Sequence, residues 1–286
     1  MIRIITDSAA DFTKEEIEEL GIEVINMSVT MGEETFVDGV TLSPRDFYEK
    51  LIETDVLPKT SQIAPYVFEN KYKEVNEAGD SAVVITLSSE LSGTYQNAYL
   101  TADDFDEIYP VDSLNVTVGE QCLVRQAVAL RDKGLTAKEI AMSLTELRKN
   151  IRVLALLDTL EYLKKGGRIS SATAIVGGVL SIKPVIEIVE GKVVMAGKAR
   201  GSKNGNNLLM QMVEKNGGID FNMPLTLGYS GTSKDLLDKY IEDSKSIWEG
   251  KTESLQTLII GPTIGTHAGP GAIAIGFFSN TSCHKT

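Results

Sequence analysis

Apolar and polar positions follow two periods along the first half of the chain. Short apolar runs of strand length recur at "IRIITDS" (2–8), "IEVINMSVTMG" (22–32), "AVVITLSS" (82–89) and "EIYPVDS" (107–113). Stretches of helical period lie between them. "TKEEIEEL" carries a capping box, Thr13 with Glu16, and an apolar stripe through Ile17 and Leu20. "SPRDFYEKLIE" (43–53) opens with Ser43 as cap and Pro44 at the first helical position. "VFENKYKEVNEAG", "TYQNAYLTAD" and "GEQCLVRQAVALRDKG" (119–134) read as further helices, and "TAKEIAMSLTELRKN" repeats the capping logic with Thr136 and Glu139. Strands alternating with helices over the first 150 or so residues predict βαβ units and a mostly parallel sheet flanked by helices.

The texture then changes. "VLALLDT" (153–159), "VIEIVEGKVVMAGKA" (185–199), "PLTLGYS" (224–230), "LQTLII" (255–260) and "AIAIGFF" (272–278) read as strands, with a hairpin turn at Glu190-Gly191. A helical stretch, "SKDLLDKYIEDSKSIW", interrupts them. The prediction is an α/β chain in two parts, an N-terminal α/β domain over 1–152 and a mixed α+β domain over 153–286. Ligand sites favour the interface between such parts.

Composition narrows the function. The 286 residues carry a net charge of −12 and no basic cluster, which disfavours nucleic acid and anionic membrane as partners. No apolar run approaches the ~20 residues of a membrane span, and the N-terminus has no signal core, so a cytoplasmic location without membrane insertion is expected. The two cysteines, Cys122 and Cys283, form no metal or redox motif, and Cys122 reads as a buried structural thiol.

Three loops concentrate small hydroxyl residues. "TDSAAD" (6–11) reads either as a helix cap or as part of a site. "KTSQIAP" (59–65) presents Thr60 and Ser61, and "SSELSGTYQNA" (88–98) crowds Ser88, Ser89, Ser92 and Thr94 around Gly93. One hydroxyl suffices for capping, so the surplus points to binding. If these loops lie at the carboxyl edge of the parallel sheet, hydroxyls and free helix N–H groups there suit one small anion.

Standard catalytic patterns fail. There is no phosphate loop, no dinucleotide fingerprint and no cluster with metal-ligand spacing. "GYSGT" (228–232) lacks the last glycine of a nucleophile elbow. The enzymatic alternative is a serine acyl-hydrolase using Ser92 and His267, but no carboxylate neighbours His267 in sequence to orient it. His267 is one of two histidines, and it stands in the glycine-rich run "LIIGPTIGTHAGPGAIAIGFF" with Gly265, Gly269 and Gly271, which reads as a tight loop.

Taken together, "ITDSAAD", "KTSQ", "SSELSGTYQNA", "DTLEYLKKGGRIS" and "IGPTIGTHAGPGAIAIGF" resemble the DegV family of bacterial fatty-acid-binding proteins, in order and over about residues 1–280. The resemblance implies a two-domain protein without catalytic groups or cofactor of its own, holding a long-chain fatty acid in an apolar tunnel. Some such proteins are the binding subunit of a fatty acid kinase, so a kinase subunit is an implied partner. The implied carboxylate ligands are Thr60, Ser61, Ser92, Thr94 and His267, with Gly93, Gly265, Gly269 and Gly271 shaping the loops. "SSATAIVGGVLSIKPVIEI" (170–188), with Gly177 and Gly178, reads either as a tunnel wall or as an ordinary buried segment. Arg168 and Arg200 read as exposed partner-docking residues or as plain surface arginines; the "GSKNG" after Arg200 is less basic than the resemblance implies.

Overall fold

The structure, a computed structural model, describes residues 1–54, 56–170 and 182–280. In chain order the elements are β1 (Ile2–Asp7), α1 (Lys14–Leu20), β2 (Ile22–Ile25), β3 (Ser28–Met31), β4 (Glu34–Val37), α2 (Pro44–Glu53), β5 (Lys59–Ser61), α3 (Pro65–Glu77), β6 (Ser81–Thr86) and α4 (Thr94–Ala102). There follow β7 (Ile108–Asp112), α5 (Val118–Asp132), α6 (Ala137–Leu147), β8 (Ile151–Leu156), α7 (Glu161–Lys165), β9 (Ile182–Val189) and β10 (Lys192–Arg200). The chain ends with α8 (Ser202–Lys215), β11 (Leu225–Tyr229), α9 (Asp235–Asp243), α10 (Lys245–Trp248), β12 (Gln256–Ile259), α11 (Pro262–Ala268) and β13 (Ile273–Phe278).

As the pattern predicts, the N-terminal sheet, ordered β2-β1-β6-β7, is parallel throughout. Its central strands β1 and β6 are buried nearly end to end, because helices cover both faces. A second, mixed sheet runs β10-β9-β8-β13-β11-β12, antiparallel except for the β11–β12 pair. Its β9–β10 hairpin turns at Glu190 and Gly191, whose φ values of 49° and 81° match the twist of the strands.

A third sheet, β4-β3-β5, is not foreshadowed by the sequence reading. The run 22–32 reads as one strand-rich piece, yet the chain turns at Asn26-Met27 and its halves join different sheets. "KTSQ" consequently forms the edge strand β5, antiparallel to β3, and not a loop at the carboxyl end of a parallel strand.

Helix α5 joins the layers. Buried residues occupy every face of it, from Val118 and Glu120 to Ala127 and Val128. It packs on β1 and β6 of the first sheet and on β8, β11 and β13 of the second. A helix covered all round belongs inside, and one apolar core accordingly runs from Ile4 and Val83 through Leu123 to Val153, Ala155 and Ile186.

Candidate functional site

Among residues on or just beyond strands of all three sheets the core opens into a cavity of about 400 Å³. Its walls are mainly aliphatic, with Val153, Ala155 and Leu157 from β8 and its end, Ile186 and Ile188 from β9, and Ala272 and Ala274 near β13. Of the run 170–188 read as a tunnel wall, residues 171–181, including Gly177 and Gly178, lie outside the described residues. The described end contributes Ile186 and Ile188.

Polar groups gather on one part of this wall. Thr60, Ser61, Ser92, Gly93, Arg168 and His267 all line the cavity. Thr60 and His267, 207 residues apart along the chain, pair directly, Oγ1 to Nε2 at 3.0 Å. Burial and the nearby Arg168 charge push the imidazole down to about 4, so it is neutral at ordinary pH. Its Nδ1 is buried without a partner. A buried N–H with nothing to accept it costs more than a bare lone pair. This assigns the proton to Nε2, which donates to Thr60 Oγ1 and leaves the Thr60 hydroxyl proton free.

Ser92 is also held in a side-chain pair. Thr94 Oγ1 accepts from the Ile63 N–H at 3.3 Å and pairs with Ser92 Oγ at 3.0 Å, where either hydroxyl can donate. Ser92 Oγ also accepts from the Thr94 N–H. Of the two hydroxyl pairs, Thr60, Ser61 and Ser92 line the cavity and Thr94 does not. Thr94, fully buried, stands behind Ser92, and Ser61 is the exposed neighbour of Thr60 on β5.

The segment around His267 is not a loop. It forms helix α11, followed by a turn in which Gly269 and Gly271 adopt φ of 70° and 79°. Gly265 sits within the helix for want of space: a Cβ there would lie 2.5 Å from Tyr48 Oη and 2.8 Å from Phe47 Cε1. Side chains from the first half of the chain fix α11. Asp38 accepts from the Thr263 N–H and hydroxyl at 3.1 and 2.5 Å, Asp11 accepts from the Gly261 N–H at 2.9 Å, and Tyr48 Oη donates to the Ile260 carbonyl at 2.8 Å. Burial pushes the Asp38 carboxyl up to about 6. Ser230 of "GYSGT" closes the turn after the helix, donating to the Gly269 carbonyl and accepting from the Ala272 N–H.

Other expectations change. Arg168 is half-buried, and its guanidinium donates to the carbonyls of Leu91 and Gly166, tying the Ser92 loop to the end of α7. Arg200, exposed at the end of β10, does not line the cavity. "TDSAAD" takes the capping role: Asp7 accepts from the Ala9 and Leu87 N–H groups, and none of residues 6–11 lines the cavity. The Ser92–His267 pair needed by a hydrolase is not formed, since Ser92 pairs with Thr94 and His267 with Thr60. Among the described residues no group of three or more His, Cys, Asp or Glu could hold a metal ion. No helix among them is long and apolar enough to cross a membrane.

A sequence-family profile described as "Uncharacterised protein, DegV family" matches residues 1–280. The chain belongs to the DegV family. A DegV domain-containing protein of Clostridium perfringens is 33% identical over 278 residues, covering 96% of this chain and 97% of that one. Among solved DegV-like structures, one from Thermus thermophilus, described as fatty acid binding of a DegV family protein, aligns with a TM-score of 0.86 and 29% identity over 97% of this chain and 99% of its own. A stearic acid-binding protein from Eubacterium ventriosum aligns with a TM-score of 0.87 and 28% identity over 98% of each chain.

Proposed function

We propose that the cavity holds one long-chain fatty acid, its acyl chain along the aliphatic wall and its carboxylate at Thr60 and Ser92. The observation that carries this reading is the pair of hydroxyls, Thr60 beside His267 and Ser92 beside Thr94, on the wall of an apolar cavity. A buried carboxylate is costly unless hydrogen-bonded, and hydrogen bonds to a charged oxygen are the stronger kind. His267 acts through Thr60. Each buried methylene contributes about 0.8 kcal/mol before ordering costs, so the tail supplies affinity and the hydroxyls supply orientation. The solved relatives described as fatty-acid-binding support the same ligand class.

In the fuller form of this proposal the protein carries no reaction of its own and offers the carboxylate to a partner kinase. The exposed Ser61 and Gln62 stand at the mouth beside Thr60, so the carboxylate end is the end a second protein reaches. Arg200, exposed and free of the cavity, is the candidate docking residue. Denaturing extraction and mass spectrometry of the purified protein test the core claim. A stoichiometric fatty acid is expected. Delipidated protein that fails to take up a long-chain acid would sink it.

A further inference from the structure

We propose that Gln62 is a further carboxylate ligand of this cavity, its carboxamide closing the mouth over the head group, and that position 93 is glycine to leave that carboxamide its place. The proposal rests on the fatty-acid reading above and deepens it.

Gln62 directly follows β5, two residues on from Thr60, and both line the cavity. The next residue is tied to the other hydroxyl loop and its helix. The Ile63 N–H donates to Thr94 Oγ1 at 3.3 Å, and the Ile63 carbonyl accepts from Asn97 Nδ2 at 2.8 Å. Gln62 therefore stands where the strand that carries Thr60 passes to the loop that carries Ser92. Its side chain lies over that loop: a Cβ built on Gly93 would fall 2.1 Å from Gln62 Oε1 and 3.0 Å from Gln62 Cδ.

Backbone freedom does not explain the glycine. Gly93 has φ −73° and ψ 1°, a conformation that alanine also adopts. What a side chain at position 93 would take is the space held by the Gln62 carboxamide.

The same contact orients the carboxamide. Its oxygen is the atom set against Gly93, and Nε2 is the further one, at 3.4 Å from the same point. Gly93 caps α4 without a side-chain hydrogen bond, and the partial positive charge of a helix N-terminus favours an oxygen there. The amide N–H groups are the end with protons to give. Among the described residues nothing accepts them in a hydrogen bond. Gln62 is exposed, so water serves its amide until a ligand arrives.

A carboxylate offers about four acceptor positions on its two oxygens, more than Thr60 and Ser92 engage. The Arg168 guanidinium is turned to the carbonyls of Leu91 and Gly166. An amide at the mouth meets the outward oxygen without burying a second charge. It also favours a carboxylate over an uncharged head, because hydrogen bonds to an ionised acceptor are the stronger kind.

The test is a double-mutant cycle on delipidated full-length protein. Affinity is read by equilibrium competition with hexadecanoic acid and, as an uncharged head on the same chain, hexadecan-1-ol. Gln62→Ala should weaken the acid about threefold to tenfold, the worth of one hydrogen bond that water partly replaces, and leave the alcohol nearly unchanged. Gln62→Glu should weaken the acid further, since two carboxylates then face each other. Gly93→Ala displaces only the end of a flexible side chain, so it should fold and should weaken the acid about as much as Gln62→Ala. In the Gln62→Ala background the same change should cost little more. Equal losses for acid and alcohol in Gln62→Ala overturn the proposal, because they mark a packing role. So do additive losses in the double variant, which would show that the ligand needs Gly93 for itself. If the wild type binds the acid and Gln62→Ala matches it, this proposal alone falls. If the wild type binds no acid, the fatty-acid reading falls and takes this one with it.

Discussion

On the proposed reading Thr60 and Ser92 meet the carboxylate, and each stands in a side-chain pair, Thr60 with His267 and Ser92 with Thr94. Two consequences can be measured. Ser92→Ala should weaken fatty-acid binding by roughly tenfold to a hundredfold in a folded protein, the worth of one hydrogen bond to a charged group, read by competitive displacement. Thr60→Val and His267→Asn should each weaken binding, and the double variant little further, because the imidazole acts through the threonine hydroxyl. Additive losses would show His267 reaching the ligand by another route. Of these partners, the hydroxyl clusters are legible in the sequence as a surplus over capping needs. The pairing of Thr60 with His267 is suggested only by resemblance, since no local spacing links positions 207 residues apart.

At the scale of elements, legibility follows local chemistry. Helices α1 and α6 are announced by capping boxes, and both boxes are formed in the structure. Helices α8 and α11 give no such notice. In "SKNGNNLLMQMVEK" the first turns hold Gly205 and three asparagines, poor helix formers, and the helix is secured by burial of Leu209, Met212 and Val213. In α11, Gly265 lowers the local propensity and is there because α2 leaves no room for a side chain. Gly265→Ala should therefore destabilise the protein by about 1–3 kcal/mol, as overpacking does, and loosen ligand binding by displacing His267. Chemical denaturation together with fatty-acid affinity checks it; a neutral alanine would mean that α2 and α11 slide apart freely.

Across the whole molecule, four buried carboxyls, Asp7, Asp11, Asp38 and Glu120, cluster at the carboxyl edge of the parallel sheet and the start of α5. Burial raises all of them, Asp7 to about 7 and Asp38 to about 6. Between the unfolded carboxyl value near 4 and about pH 7, the folded state therefore holds protons that the unfolded chain has released, and stability falls as pH rises. His267, lowered to about 4, works the other way between about 4 and 6.5, but it is one group against four. The midpoint of thermal unfolding should drop from pH 5 to pH 7. Asp7→Asn should flatten the slope by about one proton, roughly 1.4 kcal/mol per pH unit. A slope unchanged in that variant would refute the assignment. The strand order has a separate consequence, in the order of events during synthesis. β13 lies between β8 and β11, in the middle of its sheet, although it is the last strand described along the chain. On the ribosome β8 and β11 emerge with an empty place between them, and α5 waits with one apolar face uncovered. The nascent chain carries that open seam until residues 273–278 leave the exit tunnel. During that interval it is exposed to mispairing with other chains and to chaperone capture. His267 arrives only just before, so its pair with Thr60 forms only about when that seam closes.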